Sequence, residues 1–141
     1  MIRIGHFFTL LVFGMTLITS EIFGELREVV VSHADEKGIL QLYRMREDGS
    51  ESIQLTFSKH GCRMPSVSPN GKELAYVEQV DHSLAIRVSG LDGLNIRTLT
   101  DGGMNLIPSW FPDSNQLVFM KVNPKPKQDP ARNAKIYFIN L

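Results

Sequence analysis

The sequence predicts an all-β chain built from small, four-stranded antiparallel sheets stacked one after another, and three observations carry that expectation. From Glu25 onward the chain reads as short alternating or β-branched runs separated by turn formers, none long enough for a helix with an apolar face. The stretch PSVSPNGKELAYV at 65–77 returns as PSWFPDSNQLVFM at 108–120, so Pro65, Pro69, Leu74 and Tyr76 have counterparts 43 residues later in Pro108, Pro112, Leu117 and Phe119. Asp48-Gly49 and Leu55-Thr56 likewise return after 44 residues as Asp92-Gly93 and Leu99-Thr100. A repeat of about 40 to 45 residues holding four short strands is the unit of a β-propeller, whose twisted blades hide their faces against one another.

Residues 1–24 stand outside that pattern. One positive charge, Arg3, precedes an apolar run of twelve residues, Phe7 to Ile18, broken by Thr9, Gly14 and Thr16. That is the length of a signal-peptide core and short for a membrane span. The segment is therefore expected to be a signal peptide, cut after Ser20 or Gly24, or else an N-terminal anchor. No cysteine follows the run, so a lipid anchor is not supported. Either reading places the rest of the chain in an exported compartment, periplasmic or extracellular. Membrane contact is expected through an uncleaved N-terminal segment and nowhere else.

The remaining residues are expected to form about ten strands. They fall at 26–32, 39–45 and 52–57, then around Pro65, at 73–78, 84–89 and 96–100, and finally at 105–111, 116–122 and 135–140. Blade segments follow at about 25–60, 61–104 and 105–141, with three, four and three strands, the first segment opening on a second strand. Propeller rings hold roughly four to eight blades, so this ring is incomplete. Three explanations are carried forward. The chain is a truncated, split or partial gene product, copies of it complete a ring by pairing strand edges, or it stands as an open, marginally stable stack of sheets.

Within the motif, Pro65 and Pro108 suit an innermost edge strand, where a missing N–H costs no ladder hydrogen bond. In Ser68-Pro69-Asn70-Gly71 the proline pre-sets the first turn position, Asn70 tolerates the second, and Gly71 takes the left-handed conformation that opens the next strand. The second copy, Pro112-Asp113-Ser114-Asn115, has no glycine there, which predicts mild strain at Ser114 or Asn115. Trp110 stands where the first copy has Val67. Leu74-Ala75-Tyr76-Val77 and Leu117-Val118-Phe119-Met120 are continuous apolar runs, expected to be core strands covered on both faces.

Proline, turn, apolar strand, Asp-Gly and Leu-Thr, in that order over most of 25–141, resemble the repeat of TolB-type propellers. Related repeats occur in the propeller domains of prolyl oligopeptidases and dipeptidyl peptidases. A WD-type propeller fits less well, because no Trp-Asp or Gly-His pair marks the blades. Val67, Asn70 and Ser114 depart from the family pattern. The resemblance implies an exported, non-enzymatic binding or scaffold protein of the cell envelope, acting through protein partners such as the peptidoglycan-associated lipoprotein. The family's N-terminal α/β domain has no counterpart here. The alternative is the propeller fragment of an exported peptidase or polysaccharide lyase whose catalytic domain is encoded elsewhere.

Charge and chemistry narrow the function further. Fifteen basic and fifteen acidic side chains cancel, which removes the electrostatic footprint of a nucleic-acid binder. Cys62 is the single cysteine, so neither a disulfide nor a typical zinc site can form within the chain. His33, His60 and His82 have no second ligand at metal-binding spacing. His60-Gly61-Cys62 lacks the orienting third group of a nucleophile site, and no G-x-S-x-G elbow is present. Asp48, Asp92 and Asp113 recur by repeat position and read as turn formers. No catalytic group, cofactor or metal is therefore expected. Aligning Ile136–Asn140 with Ile86–Gly90 gives an offset of 50, an insertion of about six residues in the third blade, of the kind that surface loops tolerate. Its basic residues Lys125, Lys127, Arg132 and Lys135, with Lys121 at its start, face a single acid, Asp129, and form a candidate docking loop for an acidic partner.

Overall fold

The computed structural model describes residues 16–17, 27–123 and 133–141. They form eleven strands in chain order: β1 (Thr16–Leu17), β2 (Glu28–Ala34), β3 (Leu40–Arg46), β4 (Ile53–Gln54), β5 (Cys62–Val67), β6 (Glu73–Val80), β7 (Ser83–Gly90), β8 (Arg97–Thr98), β9 (Met104–Trp110), β10 (Gln116–Val122) and β11 (Ala134–Asn140). Antiparallel pairing groups them as β1-β2-β3-β4, β5-β6-β7-β8 and β9-β10-β11. A parallel pair, Leu84 with Met104, links the last two groups. These are successive propeller blades.

The expected tally of three, four and three strands is corrected to four, four and three among the described residues. The extra strand is β1, which lies inside the segment expected as a leader and pairs Thr16 with Val30 and Leu17 with Val29. Its position is innermost in the first blade, where it gives the inner edge of β2 backbone partners. The rest of 1–24 lies outside the described residues, as do 124–132 of the basic loop.

The outermost strands are much shorter than expected, two residues each at β4 and β8 instead of 52–57 and 96–100. A side chain explains why pairing stops so early. Thr56 Oγ1 accepts the Leu42 N–H at 2.8 Å, and Thr100 Oγ1 accepts the Ile86 N–H at 2.9 Å. The threonine of each Leu-Thr pair thus takes a place that a backbone carbonyl would hold in a longer ladder. Just before it, Leu55 and Leu99 donate their N–H groups to Leu42 and Ile86 at 2.8 and 2.9 Å.

Alternation along β6 sorts the core into two layers. Leu74 and Tyr76 face the first blade and pack with Val30, Leu42, Leu55, Cys62 and Val67. Ala75 faces the third blade, meeting Val88 and Leu117 with Trp110, Leu99 and Ile139 at the margin. All four residues from Leu74 to Val77 are buried, as a strand sandwiched between blades requires. In the third blade the same run is only half covered. Leu117 and Phe119 are buried, while Val118 and Met120 on the far face are partly exposed.

One glycine marks how closely the first two blades approach. A Cβ on Gly93 (φ 79°) would lie 2.5 Å from the carbonyl oxygen of Leu55, so only a residue without a side chain lets this turn pass the neighbouring blade.

Candidate functional site

The motif residues are scaffold, and the geometry shows how the scaffold locks. Pro65 and Pro108 are both buried, and each follows a residue of positive φ, Met64 (54°) and Ile107 (54°). Both sit where the ladder register shifts, between Arg63 and Ser66 in β5 and between Leu106 and Ser109 in β9. The prolines thus occupy matching bulges, which interrupt pairing where an N–H is missing. Pro69 and Pro112 are exposed in the turns. Asn70 Oδ1 accepts the Lys72 N–H at 3.0 Å and Asp113 Oδ1 accepts the Asn115 N–H at 3.0 Å. Gly71 has φ 70°, and Ser114 adopts φ 59° in the place expected to be strained.

The two copies also grip each other. Trp110 Nε1 donates to the Ser66 carbonyl at 2.8 Å, and the Asn70 N–H donates to Ser114 Oγ at 3.1 Å. Ser66 and Asn70 have repeat equivalents in Ser109 and Asp113, so each bond reaches the residue following the equivalent one. Trp110, whose place Val67 takes in the first copy, and Ser114, a departure from the family pattern, therefore both make contacts between blades. Trp110→Phe should lower stability by about 1 kcal/mol, the worth of one such bond, read as a shift in the urea midpoint at constant slope.

Beyond this seam the third blade presents an open face. Val118 pairs with Phe138 and Met120 with Ile136, so these four side chains share the side turned away from the second blade. Ile136 and Phe138 are 69% and 65% exposed, whereas Ile86 and Val88, their equivalents in the second blade, are both 0% exposed. Leu106 and Ser109 pair with Met120 and Val118 on the same face. The inward side is conventional: Phe119 is buried and stacks on Tyr137 with ring centroids 5.7 Å apart. Sequence reasoning did not single out Ile136 and Phe138, although their alignment with the buried strand at 86–90 carried the signal.

Of the candidate docking loop, Lys125, Lys127 and Arg132 lie outside the described residues. Lys135 is exposed and sits directly across from Lys121 at the start of β11. By the alternation of β10 and β11 this lysine pair lies on the side of Phe119 and Tyr137, opposite the open face. Lys121 Nζ also donates to the Asp101 carbonyl at 3.4 Å.

The remaining candidate groups are dispersed over the described residues. His33, His60 and His82 are exposed at separate places, and no group of three or more metal-binding side chains occurs among the described residues. Asp48 and Asp92 accept N–H groups of Ser50 and Leu94, both at 2.9 Å, as turn formers do. The hydrogen bonds from Ser50 hold the Asp48 carboxyl below its ordinary value. Cys62 is enclosed at 1% exposure, and burial pushes its thiol up to about 11. Burial likewise raises the Tyr76 hydroxyl. Since the thiolate is the reactive form, Cys62 should be inert to a disulfide reagent at neutral pH in the folded protein. It should react at the rate of a free thiol once urea unfolds the chain, and rapid labelling of the native protein would contradict its enclosure.

This arrangement defines a class: a segment of a β-propeller with a TolB-like fold. By structure the chain matches a TolB from Agrobacterium tumefaciens with a TM-score of 0.68 at 16% identity, over 81% of this chain and 42% of that one. The tricorn protease matches with a TM-score of 0.65 at 17% identity, over 92% of this chain and 14% of its own. The β-propeller domain of the Trilobed protease from Pyrococcus furiosus matches at 0.58 and 18% identity, over 92% of this chain and 38% of that one. In sequence, 104 residues are 29% identical to the uncharacterized protein Atu1656 of Agrobacterium fabrum, covering 65% of this chain and 36% of that protein. No protein-family model matches. The chain spans less than half the length of each of these proteins.

Proposed function

We propose that this chain is an exported, non-enzymatic propeller scaffold of the cell envelope that binds protein partners through the open face of its third blade. The exposure of Ile136 and Phe138 carries this reading, because the same positions one blade earlier are wholly buried. An apolar sheet face of this kind marks an interaction surface. The basic 121–135 segment, with Lys121, Lys125, Lys127, Arg132 and Lys135 against Asp129, favours a partner that carries acidic groups. Export rests on the apolar run at 7–18 followed by small residues at 20 and 24. Among the described residues no helix is long and apolar enough to cross a membrane.

A pull-down from envelope extract tests the reading with three forms of the full chain: unaltered, Ile136→Asp with Phe138→Asp, and neutralised across the 121–135 loop. The face variant should lose its captured proteins and the loop variant should hold them more weakly. Identical capture by all three forms would remove the face and the loop together. Self-association through the same face is a further part of the proposal, and light scattering reads it directly. A stable folded monomer would eliminate it.

A second reading, the propeller portion of an exported peptidase, draws on the match of tricorn protease over 92% of this chain. A G-x-S-x-G elbow encoded downstream in the same frame would favour it, whereas further blades alone would favour a scaffold whose third-blade face is covered within the longer chain.

A further inference from the structure

At the inner end of the second blade a cavity of about 320 Å³ opens beside Arg63. Gln79 shares the Arg63 wall, Leu84 and Met104 form an apolar wall, and the β6–β7 turn supplies Asp81, His82 and Ser83. The volume lies near the lower end of ligand pockets, which span about 300 to 1,000 Å³.

Arg63 is the unusual member. Arg44, Arg46, Arg87 and Arg97 each pair with a glutamate. Arg63 is half-buried and has no carboxylate partner among the described residues, its Nη2 donating instead to Gln79 Oε1 at 3.0 Å. Its Nε–H is enclosed and meets no acceptor. An enclosed guanidinium N–H without an acceptor is costly, because it forfeits its hydration, so this arginine is held beside the cavity at an energetic cost. The repeat does not demand a cation here either: the equivalent residue 43 positions later is Leu106. The bulge between Arg63 and Ser66, with Met64 at φ 54°, is the local device that re-aims this part of the strand.

We propose that this cavity binds a carboxylate carried on a short apolar group, with Arg63 as the recognising cation. Gln79 holds one side of the guanidinium fork and orients the rest toward the oxyanion, an arrangement that suits planar carboxylates. Leu84 and Met104 receive the apolar part. Asp81 at the rim disfavours a dianion such as phosphate, so a single negative charge is preferred. The carboxylate has two sources of equal chemistry, a peptide C-terminus or an acidic side chain. The inference stands apart from the scaffold reading, which concerns the third blade.

Titration of the isotope-labelled full chain, followed by NMR of the arginine Nε–H resonances, tests it with defined probes. N-acetyl-leucine represents a C-terminus, N-acetyl-glutamate amide a side chain, and N-acetyl-leucinamide is the neutral control. At least one carboxylate should shift the Arg63 resonance and bind about tenfold or more tightly than the neutral amide; the better of the two identifies the source. Arg63→Gln should abolish that preference. Asp81→Asn, which leaves the arginine in place, should tighten carboxylate binding about twofold by removing a like charge. Equal binding of the neutral amide, equal binding of inorganic phosphate, or an unchanged preference in folded Arg63→Gln would each overturn the proposal.

Discussion

Leu117→Ala should destabilise the protein by about 3 kcal/mol, within the usual range of a fully enclosed leucine reduced to a methyl group. Leu117 is 0% exposed and packs with Ala75 and Val88 of the second blade, with Trp110, Leu99 and Ile139 around it. Ala75 is already minimal, so its backbone cannot easily follow the lost volume, and a cavity remains between two sheets. Blades are held by nearest-neighbour interfaces, so the loss should loosen the third blade before the first two. Hydrogen exchange in β9–β11 should therefore accelerate more than in β2 and β3. Val118→Ala is the internal control. Val118 lies on the open face and is partly exposed, so its truncation should cost under about 1 kcal/mol. Equal losses at 117 and 118 in urea unfolding would mean that both faces of the blade are covered.

Thr56→Val should cost about 2 kcal/mol although it conserves shape, because it strands a buried donor. Thr56 Oγ1 accepts the Leu42 N–H at 2.8 Å and donates to Gln41 Oε1 at 3.0 Å. Gln41 is 1% exposed and also receives the Ser58 N–H at 3.1 Å while its Nε2 donates to the Ser58 carbonyl at 2.7 Å. The hydroxyl is thus the centre of a closed network that ends the first blade and directs the chain into the second. Thr100→Val removes the same bond to Ile86, but Thr100 is half-exposed. Water can replace the hydroxyl there, so a loss below about 1 kcal/mol is expected. Comparing the two substitutions by chemical denaturation separates burial from hydrogen bonding. Indistinguishable effects would show that network closure around Gln41 adds nothing.

Much of the architecture was legible because the repeat is written twice. Matching Pro65 with Pro108 and Leu55-Thr56 with Leu99-Thr100 located the blades, and the offset of 50 at Ile136 predicted the observed pairing of Met120 with Ile136, parallel to that of Val77 with Ile86. The missing glycine in the second turn marked Ser114, which adopts the left-handed conformation. Contacts that depend on the placement of one blade against the next were not legible. Nothing in the letters says that Trp110 reaches Ser66, that Ser114 receives the Asn70 N–H, or that Thr56 ends a strand. Each links residues 14 to 44 positions apart, and local pattern is blind to such distances.

The sequence by itself determined the all-β class, the period of the repeat and the identity of the core strands, because strand alternation and turn chemistry are local properties of the chain. The tertiary structure alone decided which faces are open and which charges lack partners. Ile86 and Ile136 are the same residue in equivalent strands, yet one is fully buried and the other is 69% exposed. Burial belongs to the neighbouring sheet rather than to the residue, and the same holds for Arg63, whose want of a carboxylate depends on the strands and turn around its cavity.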